Sequence, residues 1–497
     1  MTAFQTDPSV ILERLAGLRE ADAPTHGGRV LSYVYDSGLA ELDELAASAM
    51  RLVQPVNGLD PTTFTSVAVM EREVVGFARA LLGGDADVVG SVTTGGTESC
   101  LLAVKTAQDN WTGVGTPRLV APVTVHAAFH KAAHYFGLEL DLVPVGPDGR
   151  VAATALIERL GVDVALVVVS APSYPHAAID PVAEVAAAAL ALGVDCHVDA
   201  CIGGLVLPFW PGLDEMSSLE PWDLRVPGVT SLSADLHKFG YAPKGASVLL
   251  QRGRDRQRSQ YFATTRWPGY PVVNSTMLGS KSAGPLAAAW AIVHALGPDG
   301  FGELAASCVR STDALVTLVS SIEGLLVVGS PVGPLFAVTT DESVSPESRV
   351  DPHHWADQVR SHGWLLQLQP GLTQADGTRL PHTTHLTITP VTEGRLAELS
   401  AVLVQSADEV RGIPAVTAAD VLGALPQELV AGLASQDAPP LDAESAFGLL
   451  SAIGLGGSSS GALPDRMAPF LALVEALPAS LTERLLTELL ARLVEPA

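Results

Sequence analysis

The sequence predicts an α/β protein with a mostly parallel sheet in its larger domain, then a smaller α+β domain and a helical tail. Two observations lead there. Between about residues 56 and 300, short β-branched runs alternate with Ala-rich helical patterns. Several of those runs, such as Val164–Ser170, are apolar without interruption, as strands covered on both faces are. A chain of 497 residues with 47% hydrophobic and 17% charged residues has the material for a large core and for more than one domain.

The elements follow in order. Residues 1–55 read as an N-terminal arm with helices near Ile11–Glu20 and Gly38–Leu52, and an extended segment, Arg29–Asp36, between them. In the α/β region, 56–300, the strands are expected at Val88–Thr93, Arg118–Ala121, Val164–Ser170, Val194–Val198, Ser231–Ala234 and Ser247–Leu250. Helices are expected at Glu98–Trp111, Phe129–Phe136 and Pro181–Leu192. The smaller domain, 301–410, carries helices at Phe301–Val316 and Pro352–His362, strands at Leu325–Val328 and Leu335–Val338, and an extended Thr384–Thr389. The tail, 411–497, is Ala/Leu-rich and broken by a Gly/Ser stretch at Gly456–Pro464 that reads as a linker. It carries no recognisable chemistry and suggests packing or oligomer contacts.

Composition excludes several functions. With 29 basic and 54 acidic residues the formal charge is -25, which repels nucleic acid and anionic lipid. No basic segment followed by an apolar one opens the chain, and no apolar run approaches the roughly 18 residues of a membrane span, so a cytoplasmic address without membrane insertion is expected. Cys100, Cys196, Cys201 and Cys308 have no CxxC spacing, so neither a disulfide framework nor a metal site is expected.

Four motifs carry chemistry. Thr94-Gly-Gly-Thr-Glu-Ser99 follows a strand and opens a helix, where backbone N–H groups attract a phosphate; a plain capped helix start is the simpler alternative. His126 heads the next helix, placed either to stack on a flat ring or as a structural histidine. Asp199, in Cys196-His-Val-Asp-Ala-Cys201, ends an apolar strand; its carboxylate needs a partner, either a pyridinium nitrogen or the next turn. Lys238, in Ser233-Ala-Asp-Leu-His-Lys238, lies between apolar strands, where burial is expected to lower its pKa and free the amine for a Schiff base. Each residue alone has an ordinary explanation. In this order, each at a strand end, they are the parts of a fold-type I enzyme that uses pyridoxal 5'-phosphate.

With these residues in view, the chain resembles the sphingosine-1-phosphate lyase branch of the group II pyridoxal-dependent decarboxylases. The likeness rests on TTGGTESCLLAVK, HAAFHKAAHYFG, APSYPHAAIDPV, HVDACIGGLVLPF and SLSADLHKFGYAPKG, in family order over about residues 30–300. It implies that Gly96 and Thr97 hold the cofactor phosphate, His126 stacks on the ring, Asp199 meets the ring nitrogen, and His237 and Lys238 form the His-Lys pair. It further implies that His176 lies at the cofactor's polar edge and that Tyr35 and Lys244 bind the substrate phosphate. Gly279 and Ser280 would reach the neighbouring subunit's cofactor, making a homodimer.

Two departures stand out. Asp60 occupies the position of a phosphate-binding histidine of the lyases, and Arg266 stands where no arginine is expected. Arg266 is expected either to neutralise Asp60 or to hold a substrate carboxylate. The tail is not typical of the family, and no membrane anchor of the eukaryotic lyase kind is expected. The resemblance therefore implies Cα–Cβ cleavage of an amino alcohol, with His176, His237, Lys238 and Tyr35 as the acids and bases. Amino-acid decarboxylation is the alternative, and a non-catalytic binding protein the remote one.

Overall fold

The computed structural model describes residues 4–210, 221–423, 443–452 and 466–496. Its centre is a seven-stranded sheet of β1 (Val88–Thr93), β2 (Arg118–Pro122), β3 (Glu139–Val143), β4 (Val164–Ser170), β5 (Asp195–Asp199), β6 (Ser231–Ala234) and β7 (Ser247–Arg252). The spatial order is β1-β7-β6-β5-β4-β2-β3, and only β7 runs against its neighbours. The strand β3 is absent from the expected set because Glu139-Leu-Asp-Leu-Val is half-exposed at the sheet edge and lacks the continuous apolar signal of its neighbours.

Why the inner strands read as unbroken apolar runs is visible in the packing. All seven residues of β4 are buried. Successive side chains point to opposite faces. Leu166 and Val168 therefore join Leu119, Ala121 and Phe129 under helices α4 (Gly96–Asn110) and α5 (Ala127–Phe136). Val167 and Val169 pack on the other face with Val185 and Ala186 of the helix Val182–Leu192. Within the sheet, His197 is fixed by Ser231 Oγ at 2.8 Å and Ser233 Oγ at 3.1 Å. That contact locks the β5–β6 register, Asp199 opposite Ser233. Crossovers between parallel strands bring the ends of β1, β2, β4, β5 and β6 to one edge, where ligands of such sheets bind.

A second, antiparallel sheet of four strands includes Leu335–Thr340, Gln367–Gln369 and Thr383–Thr387. It packs through Phe336 and Leu386 on a cluster containing Trp355, Trp364, Leu399 and Leu403. The arm joins it: Leu31 N–H donates to Leu365 O at 2.8 Å and Thr387 N–H donates to Leu31 O at 2.7 Å. The Arg29 guanidinium covers the Trp364 ring at 5.0 Å. The Arg29–Asp36 stretch, expected as a short strand or extended segment, makes a single β-bridge, Val30 to Leu365, after which the chain turns toward the main sheet.

The helix expected from Phe301 is the second half of one run, Gly284–Ser320, interrupted at Gly297 (φ 57°) before Pro298. Proline at the first position of the renewed helix loses no hydrogen bond, so the kink is inexpensive. The boundary expected at residue 300 falls inside this element. The Gly456–Pro464 stretch lies outside the described residues. The described tail contains helices Ala443–Ala452, Ala468–Ala476 and Ala479–Leu493. Asp357, buried on helix Pro352–Ser361, accepts N–H bonds from Met467 (2.8 Å) and Ala468 (3.0 Å) and so caps the helix Ala468–Ala476 from another element. Replacing a cap costs roughly 1 kcal/mol. Asp357→Ala should lower stability by about that much in urea unfolding and speed hydrogen exchange in Ala468–Ala476; unchanged exchange there would show that the cap does not hold the tail.

Candidate active site

The strand ends surround a cavity of about 1030 Å³ lined by Thr94, Gly96, Thr97, His126, His176, Asp199, Asp235, His237, Lys238 and Lys244, among others. Its floor is the Lys238 ammonium, whose Nζ lies 2.9 Å from Asp235 Oδ2. His237 Nε2 is 3.6 Å from the same oxygen. Lys238 is held where β6 ends, one turn after Asp235, so the two are i and i+3 neighbours.

Lys238 corrects the sequence expectation about its pKa. Burial does push its ammonium down, but Asp235, reinforced by Tyr35, Cys201 and Asp199, outweighs it and holds the pKa well above the ordinary lysine value. Asp235 is itself lowered: burial pushes it up, and the charges of Lys238 and His237 more than reverse that. Asp235 was visible in the motif but carries no distinguishing type; the three-residue spacing to the lysine is the signal that marks it.

The phosphate end of the cavity is built from glycine. Gly95 has φ 146° and starts α4 without a side-chain cap, leaving first-turn N–H groups open. A Cβ on Gly96 would lie 2.6–2.7 Å from the Asp235 carboxylate oxygens and 2.9 Å from Cys201 Sγ, so only glycine lets this turn sit over the lysine–aspartate pair. Glu98 braces the loop, accepting from Thr94 N–H at 2.6 Å and Thr94 Oγ1 at 2.8 Å with one oxygen and from Met277 N–H at 2.6 Å with the other. Thr97 is exposed at the helix start.

His126 Nδ1 accepts from Ala128 N–H at 3.1 Å. It is therefore both the structural cap of α5 and an exposed ring facing the cavity, so the two readings of this residue coincide. Asp199 follows the same pattern: Oδ1 caps the next turn through Cys201 N–H at 3.1 Å, and the carboxylate still lines the cavity. His176 is buried with Nδ1 unpartnered among the described residues, and burial lowers its pKa to about 4. Burial likewise lowers His237.

On the opposite wall, Lys244 Nζ donates to Tyr33 O at 3.0 Å and His237 O at 3.2 Å, and lies 4.7 Å from the Tyr35 ring centre. Desolvation and then the Lys238 charge lower Lys244 to about 8. Tyr35 packs edge-on against Phe239 and burial raises its hydroxyl to about 12, so it is a neutral proton donor at pH 7. The small sheet supplies Gln369 and Thr383, which sequence patterning did not mark. Gln369 Nε2 donates to Pro175 O at 3.0 Å, 194 positions away, a separation that local pattern does not reveal.

Four expected residues do not line this cavity: Asp60, Arg266, Gly279 and Ser280. Asp60 is not paired with Arg266. Its carboxylate accepts from N–H and Oγ1 of both Thr62 and Thr63 at 2.6–3.1 Å, and those bonds lower its pKa to about 2. Arg266 is exposed on the hairpin formed by Phe262–Thr264 and Val272–Asn274, with no ion pair among the described residues. Ser280 is exposed and accepts from Asn57 Nδ2 at 3.3 Å, so the 57–60 loop braces the Gly279–Ser282 segment.

Comparison with known proteins identifies the class. Residues 62–322, more than half of the chain, match the pyridoxal-dependent decarboxylase conserved domain, and the chain belongs to that family. Within it the similarity is to sphingosine-1-phosphate lyases. The chain is 37% identical to that of Dictyostelium discoideum over 67% of this chain and 63% of the relative. It is 33% identical to that of Arabidopsis thaliana over 78% and 71%. The chain spans somewhat under two thirds of the length of the Dictyostelium discoideum and Rattus norvegicus enzymes. The solved sphingosine-1-phosphate lyase of Burkholderia pseudomallei superposes with TM-score 0.74 at 31% identity, covering 83% of this chain and 93% of that one. Residues 427–492 match the family described as "Pyridoxal-dependent enzyme, C-terminal putative HTH domain", which corrects the expectation that the tail is foreign to such enzymes.

The residues fit the family's cofactor, pyridoxal 5'-phosphate. Asp235 Oδ1 and His237 Nδ1 are buried without hydrogen-bond partners among the described residues, and the glycine turn leaves a cradle that a Cβ on Gly96 would fill. Attachment requires the free amine of Lys238. Because Asp235 raises that pKa and burial alone would lower it, Asp235→Asn should shift the pH profile of cofactor attachment to the apoprotein toward acid. The expected result is faster growth of visible absorbance at pH 7; an unmoved profile would mean that the pair does not control the amine.

Proposed function

We propose that this chain is a lyase that cleaves the Cα–Cβ bond of a phosphorylated long-chain amino alcohol, giving an aldehyde and an ethanolamine phosphate. The observation that carries this reading is Lys244, an ammonium fixed by two carbonyls over the Tyr35 ring and lining the cavity that holds Lys238. A fixed cation lining the same cavity as Lys238 suits a phosphate. The relatives named sphingosine-1-phosphate lyase support the same reading.

The bound cofactor would supply the electron sink for charge developing at Cα. Lys238 would hold it covalently, Asp199 would keep its ring nitrogen protonated, and His126 would cover one ring face. Gly96, Thr97 and the open N–H groups of α4 would hold its phosphate. Lys244 with Tyr35 would bind the substrate phosphate. His176, neutral at pH 7 because burial lowers it, would accept the β-hydroxyl proton, and Tyr35 would return one. Asp60 weighs less against this than its charge suggests, since Thr62 and Thr63 already satisfy it. The decarboxylase alternative relied on Arg266 to hold a carboxylate, and Arg266 does not line the cavity. A non-catalytic role would leave Lys238 and Asp199 without a reason to converge.

We place the active unit as a cytoplasmic homodimer acting on a small-molecule amine. Phe262, Trp267, Tyr270, Val273, Met277 and Leu278 are exposed on and beyond the hairpin, an apolar surface that a second copy would cover. The same contact would carry Gly279 and Ser280 toward the neighbouring site. Four unpaired buried cysteines suit a reducing compartment, and no helix among the described residues is long and apolar enough to cross a membrane.

Incubation with sphingosine 1-phosphate should release aldehyde without carbon dioxide. Lys244→Met should raise KM for the phosphorylated substrate at least tenfold with a smaller change in kcat. Carbon dioxide release from an amino acid, with no aldehyde from the phosphorylated amine, would sink the lyase reading.

A further inference from the structure

Behind the small-sheet wall of the cavity, two histidines and a glutamate converge away from the cofactor residues. His353 on helix Pro352–Ser361, His382 ahead of strand Thr383–Thr387, and Glu475 on helix Ala468–Ala476 each offer a ligand atom within 4.8 Å of the other two. The two imidazole rings lie 4.4 Å apart, tilted by 32°. His353 is buried, and the Glu475 side chain is only 11% exposed.

Hydrogen bonds place the ring protons. His353 Nε2 faces Gln369 O at 3.0 Å and Thr383 O at 3.2 Å. Carbonyl oxygens only accept, so Nε2 carries the hydrogen and Nδ1 keeps the lone pair. His382 Nε2 lies 2.7 Å from Asp351 Oδ2 and donates to it, while Nδ1 faces Glu475 Oε1 at 3.6 Å. Arg379 holds the other Glu475 oxygen at 2.6 Å.

We propose that His353, His382 and Glu475 bind one divalent transition-metal ion of the zinc class, which staples the tail helix Ala468–Ala476 to the small sheet. Two imidazole nitrogens and one carboxylate oxygen form a recognised donor set for such ions, with a fourth position for water. Ligands about 2.1 Å from a tetrahedral ion lie roughly 3.4 Å apart, close to the His382–Glu475 separation. Asp351 behind His382, and the carbonyls behind His353, are the outer partners that fix ring orientation at metal sites. Asp351 and Glu475 against the single Arg379 leave one net negative charge around the two imidazoles, which suits a dication. The competing arrangement, a protonated His382 bridging Asp351 and Glu475, makes no use of the His353 Nδ1 lone pair that its Nε2–carbonyl contacts leave free. A metal uses all three groups.

The site joins two parts of the chain that the sequence separates by about a hundred positions. Gln369 and Thr383, whose carbonyls hold His353, line the cavity, and Glu475 lies within the 427–492 tail match. The ion would therefore tie the tail to the cavity wall.

The test uses untagged full-length holoenzyme equilibrated with zinc chloride, desalted, and assayed by plasma mass spectrometry. The wild type should retain about one zinc per chain, as three protein ligands imply. Glu475→Gln and His382→Asn should each reduce retained zinc at least tenfold, with cofactor absorbance and circular dichroism unchanged. Asp351 Oδ1 also caps helix Pro352–Ser361, accepting from His354 N–H at 2.8 Å; Asp351→Asn keeps that cap and should weaken zinc affinity by about 10–100-fold, the usual cost of losing an outer partner. Wild type that retains no more zinc than Glu475→Gln, or variants that retain as much as wild type, would overturn the proposal. If His382→Asn fails to fold, the near-isosteric Glu475→Gln decides the question alone.

Discussion

The Lys238 ammonium and the Asp235 carboxylate meet at 2.9 Å in a buried pocket, and much of the surrounding structure follows from that contact. Two charges taken out of water are stable only when paired and well oriented. The end of β6 supplies both in one turn. Gly96 must lack a side chain for the phosphate turn to pass over them, and His237 shares the same carboxylate oxygen. The buried β4, β5 and β6 form the rigid platform beneath the pair, with His197 clamped between two serines to set the register. Function at this edge depends on a sheet that cannot slip.

The pair also separates the two lysines of the cavity. Lys238 is held charged by Asp235, whereas Lys244 has only carbonyls and a ring face and is lowered to about 8. Amine basicity by itself would favour Lys244 as the nucleophile at neutral pH. Position reverses that order: Lys238 sits beneath the glycine turn and beside Asp199, and Lys244 faces the opposite wall. The site thus selects its covalent lysine by geometry and assigns the second to an anion.

Much of this was legible in the residues. Val164–Ser170 announced a strand covered on both faces because all seven side chains are apolar or small, and Thr94–Ser99 announced a ligand-binding turn because its glycines have no role in a helix interior. His126 and Asp199 were legible as alternatives, and each proves to be both a local cap and a cavity residue. What stayed hidden depended on distance in sequence. Nothing near Gln369 or Thr383 signals that the small sheet closes the cavity, and Asp357 gives no sign that it caps a helix 110 positions later. Asp60 and Arg266 looked like partners because both departed from the family pattern. Thr62 and Thr63, two and three positions on, satisfy its carboxylate locally, without a distant arginine.

The account rests on Lys238, rather than Lys244, carrying the cofactor. Holoenzyme treated with borohydride, digested and mapped by mass spectrometry answers this directly. The pyridoxyl mass should appear on the peptide containing Lys238 and on no other lysine. Its appearance on Lys244, or its absence from both, would contradict the assignment of the site.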